Sequence, residues 1–81
     1  MADRNAIFDA IEVEREYQDR KWGTIEENPH TVAEWVGLAM EEVIEADEAR
    51  QQGNYQFVKM ELVQAAAVIV AALEQHGVVT R

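Results

Sequence analysis

The sequence predicts an all-α protein: a single domain over residues 1–81, folded as a three-helix antiparallel bundle that assembles into an oligomeric helical bundle. Three observations carry that prediction. One proline and four glycines divide the chain into three long segments of helix-forming residues. Apolar residues in the first two segments recur at helical spacing. The third contains AAAVIVAAL, Ala65 to Leu73, nine consecutive residues without a polar side chain, more apolar surface than two neighbouring helices can cover.

The first helix is expected from Asp3 to about Lys21, a stretch without Gly or Pro. Its apolar residues fall in one row at Ile7, Phe8 and Ile11 and a second at Ala10, Val13 and Tyr17. Trp22-Gly23 ends it, and TIEENPH follows as a polar connection in which Pro29 pushes Asn28 away from helical geometry. The second helix starts near Val32, because Thr31-Val-Ala-Glu34 has the spacing of a capping box. It runs to about Gln52, where Gly53 can adopt the left-handed conformation that closes helices. Trp35, Val36, Ala39, Met40, Val43 and Ile44 form its apolar side. Asn54 can cap a third helix from Tyr55 to Gln75, with His76 placed as a C-terminal cap residue before Gly77. Its β-branched content suggests a strand, but its length and alanine content favour a helix. Such a helix is expected to pack against a second subunit, giving a homodimer or homotetramer.

Composition narrows the function. A chain of this size buries only about 60% of its unfolded surface, so stability is expected to draw on self-association or a ligand. Cysteine is absent, which excludes disulfides and thiolate metal sites. No segment reaches the ~18 to 20 uninterrupted apolar residues of a membrane span, and MADRNAIFD lacks a signal-peptide core, so the expectation is a cytoplasmic protein without a membrane partner. Seven Lys plus Arg against sixteen Asp plus Glu give a net charge of −9, which repels a polymeric nucleic acid. A mononucleotide stays possible, because a divalent cation can bridge carboxylates and phosphate oxygens.

The stretch MEEVIEADEA, Met40 to Ala49, holds five carboxylates in ten residues. Taken alone, such a cluster on a surface helix reads as a solvated face. Glu42 and Glu45, at i and i+3, project from neighbouring positions, while Asp47 and Glu48 read as solvated. The third helix changes the weighting: between Phe57 and Glu74 its only polar side chains are Lys59, Glu61 and Gln64. A carboxylate on the most apolar helix needs a basic partner or a cation. Gly53 lies eight residues from both Glu45 and Glu61, so a hairpin at Gly53 brings them toward one level. Three carboxylates and the Gln64 amide make an all-oxygen site suited to Mg²⁺ or Mn²⁺, ions that keep waters and bind substrate phosphates.

With these residues the chain resembles the MazG-like all-α nucleoside triphosphate pyrophosphohydrolases, in particular the short members found in phages and bacteria. The family signature is E-x-x-E on one helix and E-x-x-D on the next. Glu42-Val-Ile-Glu45 matches the first half and Glu61-Leu-Val-Gln64 occupies the second, with Gln64 in place of Asp. VEREYQDRKWG and ELVQAAAVIVAALE extend the likeness from about Ile11 to Glu74. The resemblance implies hydrolysis of the α–β phosphoanhydride of a nucleoside triphosphate to a monophosphate and pyrophosphate, with Glu42, Glu45 and Glu61 as Mg²⁺ ligands and Gln64 as a weaker fourth. Under that reading Glu41 is a candidate water-activating base, or else a surface carboxylate. Arg20 and Lys21 are candidate phosphate contacts, or else helix C-terminal cations. Trp22 and, less so, Trp35 are candidates for base stacking, and His30 for a hydrogen bond to base or sugar. A nucleotide-binding or purely structural helical oligomer without turnover is the alternative.

Overall fold

The computed structural model describes residues 1–81 and contains three helices: α1 (Arg4–Trp22), α2 (Val32–Gln51) and α3 (Tyr55–His76). α3 is the central element. α2 packs along it as an antiparallel hairpin and α1 lies against another side, while α1 and α2 do not pack on each other. The arrangement is therefore an open one built on α3.

The hairpin follows from local chemistry. Glu34 N–H donates to the Thr31 hydroxyl at 3.1 Å and Thr31 N–H donates to the Glu34 carboxylate at 2.8 Å, the reciprocal pair that starts α2. At the other end Gly53, at φ 75°, takes a conformation costly for any residue with a Cβ. Asn54 then accepts the Phe57 N–H at 3.2 Å and opens α3. Small residues make up most of the buried apolar positions of the two helices: Ala46 and Ala49 on α2, and Ala65, Ala67 and Ala71 on α3. Small side chains let the two backbones approach closely. Toward the far end Trp35 packs with Val68 and Ala71.

Most of the bulky apolar residues of α1 and α2 lie outside their contacts with α3. The rows Ile7, Phe8 and Val13, Tyr17 do not form the face by which α1 joins the domain; those four are exposed and the buried residues of α1 are Arg15 and Gln18. The Arg15 guanidinium donates to Glu74 at 3.3 and 2.7 Å and to Asp19 at 2.9 Å, and Gln18 donates to the Gln64 carbonyl at 3.4 Å. α1 is thus tied to α3 by polar contacts from its C-terminal half. On α2, likewise, Trp35 is buried and Ala39 half-buried, but Val36, Met40, Val43 and Ile44 face outward. The alanine row, not the bulky row, lies against α3.

The α1–α2 connection is ordered by its own polar groups. Thr24 and Glu27 repeat the Thr/Glu reciprocity of the α2 cap: the Thr24 N–H donates to Glu27 at 3.0 Å and the Glu27 N–H to the Thr24 hydroxyl at 3.3 Å. Gln75 then fastens the loop to the end of α3, accepting from His30 N–H at 3.1 Å and from Trp35 Nε1 at 2.8 Å, and donating to the His30 carbonyl at 2.8 Å. His76 Nε2 also lies 2.9 Å from that carbonyl. α3 has the length and composition of a membrane-crossing helix, yet in this fold it is the central packing element and carries a buried carboxyl, Glu61.

Candidate metal centre and adjoining cleft

The hairpin brings Glu42, Glu45 and Glu61 together, with one carboxylate oxygen from each lying within 4.8 Å of the others. Glu61 is 3% exposed, Glu42 is half-buried and Glu45 opens to solvent, so the cluster has a closed floor and an open mouth. No Lys or Arg pairs with any of the three. One oxygen of Glu42 and one of Glu61 are buried without any hydrogen-bond partner. A buried carboxylate oxygen left in that state costs several kcal/mol unless a proton or a cation stands beside it.

Electrostatics act in the same direction. Burial pushes the Glu61 carboxyl above the usual carboxylate range, and contact with Glu42 adds to the effect. Glu45 is also pushed up, first by its contact with Glu61 and further by the repulsion of Glu61 and Glu41. The raised carboxyls hold a proton more tightly than usual, and a divalent ion would compete with that proton and satisfy the orphaned oxygens. Three hard oxygen donors with an open side fit Mg²⁺ or Mn²⁺, which retain coordination positions for water or phosphate.

Beside the cluster lies a cleft of about 380 Å³ between the C-terminal end of α1, the α1–α2 loop, α2 and α3. Glu42 belongs to both the cluster and the cleft wall, and Glu41 lines the cleft next to it. Trp22, His30 and Trp35 supply aromatic walls, with His30 and Trp35 in an edge-to-face contact at 4.6 Å. Arg15 and Asn28 add donors. The cleft therefore pairs aromatic surface with polar groups and opens beside a carboxylate cluster.

The expected site residues separate on this geometry. Glu41, Glu42, Trp22, His30 and Trp35 reach the cleft, and Glu45 and Glu61 complete the acid cluster. Gln64 sits one turn beyond Glu61, half-buried, and its carbonyl receives Gln18. Arg20 and Lys21 are exposed and do not line the cleft; the Lys21 ammonium stands 4.7 Å over the Trp22 ring and 5.7 Å from that of Tyr17. Asp47 pairs with Arg50 at 2.8 Å and Gln51 at 3.0 Å on the outer face.

Sequence reasoning passed over Arg15, Gln18 and Gln75. The signal was spacing: Ile11, Arg15 and Gln18 stand at i, i+4 and i+7, so the buried stripe of α1 continues in polar residues. Glu14 was also missed; it accepts from Gln18 at 3.0 Å and adds negative potential at Glu61. Comparison with known proteins adds no identity: no protein-family model, curated protein or solved structure matches this chain.

Proposed function

We propose that this protein is a Mg²⁺-dependent nucleoside triphosphate pyrophosphohydrolase of the MazG-like type. The observation that carries the reading is the convergence of Glu42, Glu45 and Glu61, with two buried oxygens lacking partners, at the edge of an aromatic-walled cleft. The E-x-x-E spacing at Glu42 and Glu45, followed by Glu61 on the next helix, supports it from the sequence.

In this reading the three carboxylates hold the cation, and the Gln64 amide is the weaker fourth donor. The ion, when bound, neutralises charge on the triphosphate. Trp22 and Trp35 flank the base, His30 offers a polar contact to base or sugar, and Arg15 and Asn28 meet the polar portion of the substrate. Glu41 accepts a proton from the attacking water. The water oxygen bonds to the α-phosphorus as the α–β bridging bond breaks, releasing pyrophosphate and leaving the monophosphate. Lys21 and Arg20, exposed in the last turn of α1, attract the triphosphate by charge.

The test is a screen of the common ribo- and deoxyribonucleoside triphosphates for pyrophosphate release with Mg²⁺ and with Mn²⁺. Release that disappears on chelation and in Glu61→Ala supports the reading; release indifferent to both rejects it. Gln64, where the family pattern has Asp, favours one second reading: a nucleotide-binding oligomer without turnover. Tight nucleotide binding with no product after prolonged incubation would select that one.

A further inference from the structure

Every buried apolar residue of the chain belongs to α2 or α3. α1 contributes none: its two buried side chains are Arg15 and Gln18, and Ile11 is half-buried. α1 also packs on α3 alone, with no contact to α2. Its attachment therefore rests on the Arg15 guanidinium, which donates to Glu74 at 3.3 and 2.7 Å, and on Gln18 Nε2, which donates to the Gln64 carbonyl at 3.4 Å. Groups of this kind can exchange their partners for water when a helix lets go, whereas an apolar core cannot. Yet Arg15, Gln18, Asp19 and Trp22 make one wall of the cleft. The wall that completes the cleft is thus the one element outside the core.

We propose that α1 is a separable wall of the cleft, latched to α3 through Arg15 and Gln18, and that a cation in the Glu42, Glu45 and Glu61 cluster tightens the latch by acting on Glu14. The link to the cluster runs along α1. Gln18 Nε2 donates to Glu14 at 3.0 Å as well as to the Gln64 carbonyl, and Gln64 stands three residues beyond Glu61 on α3. Glu14 is half-buried, and no Lys or Arg pairs with it. Its charge adds to the negative potential at Glu61, whose buried oxygen lacks a partner. An empty, ionised cluster repels Glu14 and so pushes α1 outward; a divalent ion there reverses the sign and draws α1 in. Cation loading and completion of the cleft then become one event, and a ligand of the cleft meets its full wall only after the ion has bound. The cation half of this proposal rests on the reading of the cluster as a metal centre, while the latch does not.

The experiment is segment-resolved amide hydrogen exchange on the unaltered chain, first in chelator and then in saturating Mg²⁺, without nucleotide. A lone helix of α1's length is marginal in water, so its amides exchange whenever it leaves α3. In chelator, residues 4–22 should exchange faster than the slowest amides of α2 and α3. Glu74→Gln should speed exchange in α1 by roughly tenfold, the advantage of a charge-assisted hydrogen bond over a neutral one, and leave the hairpin unchanged. Gln18→Ala should act in the same direction. Three helices that exchange as one unit, a variant that loses protection in all three together, or an α1 unmoved by both substitutions overturns the latch.

Mg²⁺ should then slow exchange in α1 as well as around Glu42, Glu45 and Glu61, and Glu14→Gln should remove the slowing in α1 while the cluster keeps its own. Protection at the cluster with α1 unmoved, or an α1 response that survives Glu14→Gln, overturns the coupling and leaves the metal centre standing. No response to Mg²⁺ in any segment overturns the metal centre and the coupling together, with the latch decided by the results in chelator.

Discussion

The two sides of the α2–α3 hairpin are built the opposite way round from an ordinary small domain. The inner side, toward the cleft, buries Glu61 and part of Glu42 and leaves two oxygens unpartnered. The outer side leaves Val36, Met40, Val43, Ile69 and Leu73 in solvent. Each arrangement is unfavourable alone, since a buried charge needs compensation and an exposed apolar patch loses the benefit of burial. The difference teaches that the hairpin leaves uncompensated buried polarity on one side and unburied apolar surface on the other.

Trp35 stands between those sides, and its removal is the harshest challenge to the comparison. Trp35→Ala should cost about 3–5 kcal/mol as an aromatic-to-alanine core truncation. It also removes one of the three hydrogen bonds of the Gln75 side chain that fastens the loop. Against a total stability of roughly 0.05–0.15 kcal/mol per residue, this loss should unfold a large fraction of the protein, measured by thermal denaturation. Trp35→Phe, which keeps the ring but not the Nε1–H, should lose about 1 kcal/mol.

The inner side is sharpened by Glu61→Gln. Pyrophosphate release should fall by more than about 100-fold, the upper end of what loss of a metal site's supporting shell costs. Stability should move the other way: in chelator at neutral pH the variant should melt higher than the parent, because an amide removes a buried ionisable group from a cluster of carboxylates. The pH dependence follows from the raised Glu61 and Glu45 carboxyls. The folded state holds these protons more tightly than the unfolded chain, so their contribution is greatest below the ordinary carboxylate range and is lost as pH rises through the raised values. Glu34, lowered by the Thr31 N–H, has the opposite sign: its contribution is present above the usual range and lost as pH falls through its lowered value. A melting series from acid to neutral pH, parent against Glu61→Gln, separates the two trends.

Smaller effects are expected away from both surfaces. Thr31→Ala removes the α2 cap and should cost about 1 kcal/mol in denaturant unfolding. Asp47→Ala breaks an exposed pair with Arg50 and should change stability by less than about 0.5 kcal/mol. A larger loss there would mean that the outer acids are more than a solvated face.

The three helices were legible because their punctuation is chemical: Thr31 with Glu34, Gly53 with Asn54, and Gly23 and Gly77 all mark ends that the fold uses. The meeting of Glu45 and Glu61 was legible from their equal distance to Gly53. The packing of α1 was not, because periodicity identifies an apolar stripe without saying whether this chain or another covers it. Arg15 and Gln18 were hidden for the same reason: their burial depends on partners 59 and 46 residues away, Glu74 and the Gln64 carbonyl, which local spacing cannot pair. The alanine seam was obscured by the bulkier row beside it. Small side chains won that contest because they permit the closer approach of two helices.

The most direct measurement is the melting temperature of the parent and of Glu61→Gln across a Mg²⁺ titration at neutral pH, without nucleotide. A cation held by Glu42, Glu45 and Glu61 should stabilise the parent progressively, by about 2.7 kcal/mol at 100 times its Kd, while Glu61→Gln begins higher and responds far less. A parent indifferent to Mg²⁺ and Mn²⁺, or a variant that responds as strongly as the parent, would contradict the assignment of these three carboxylates as a metal centre.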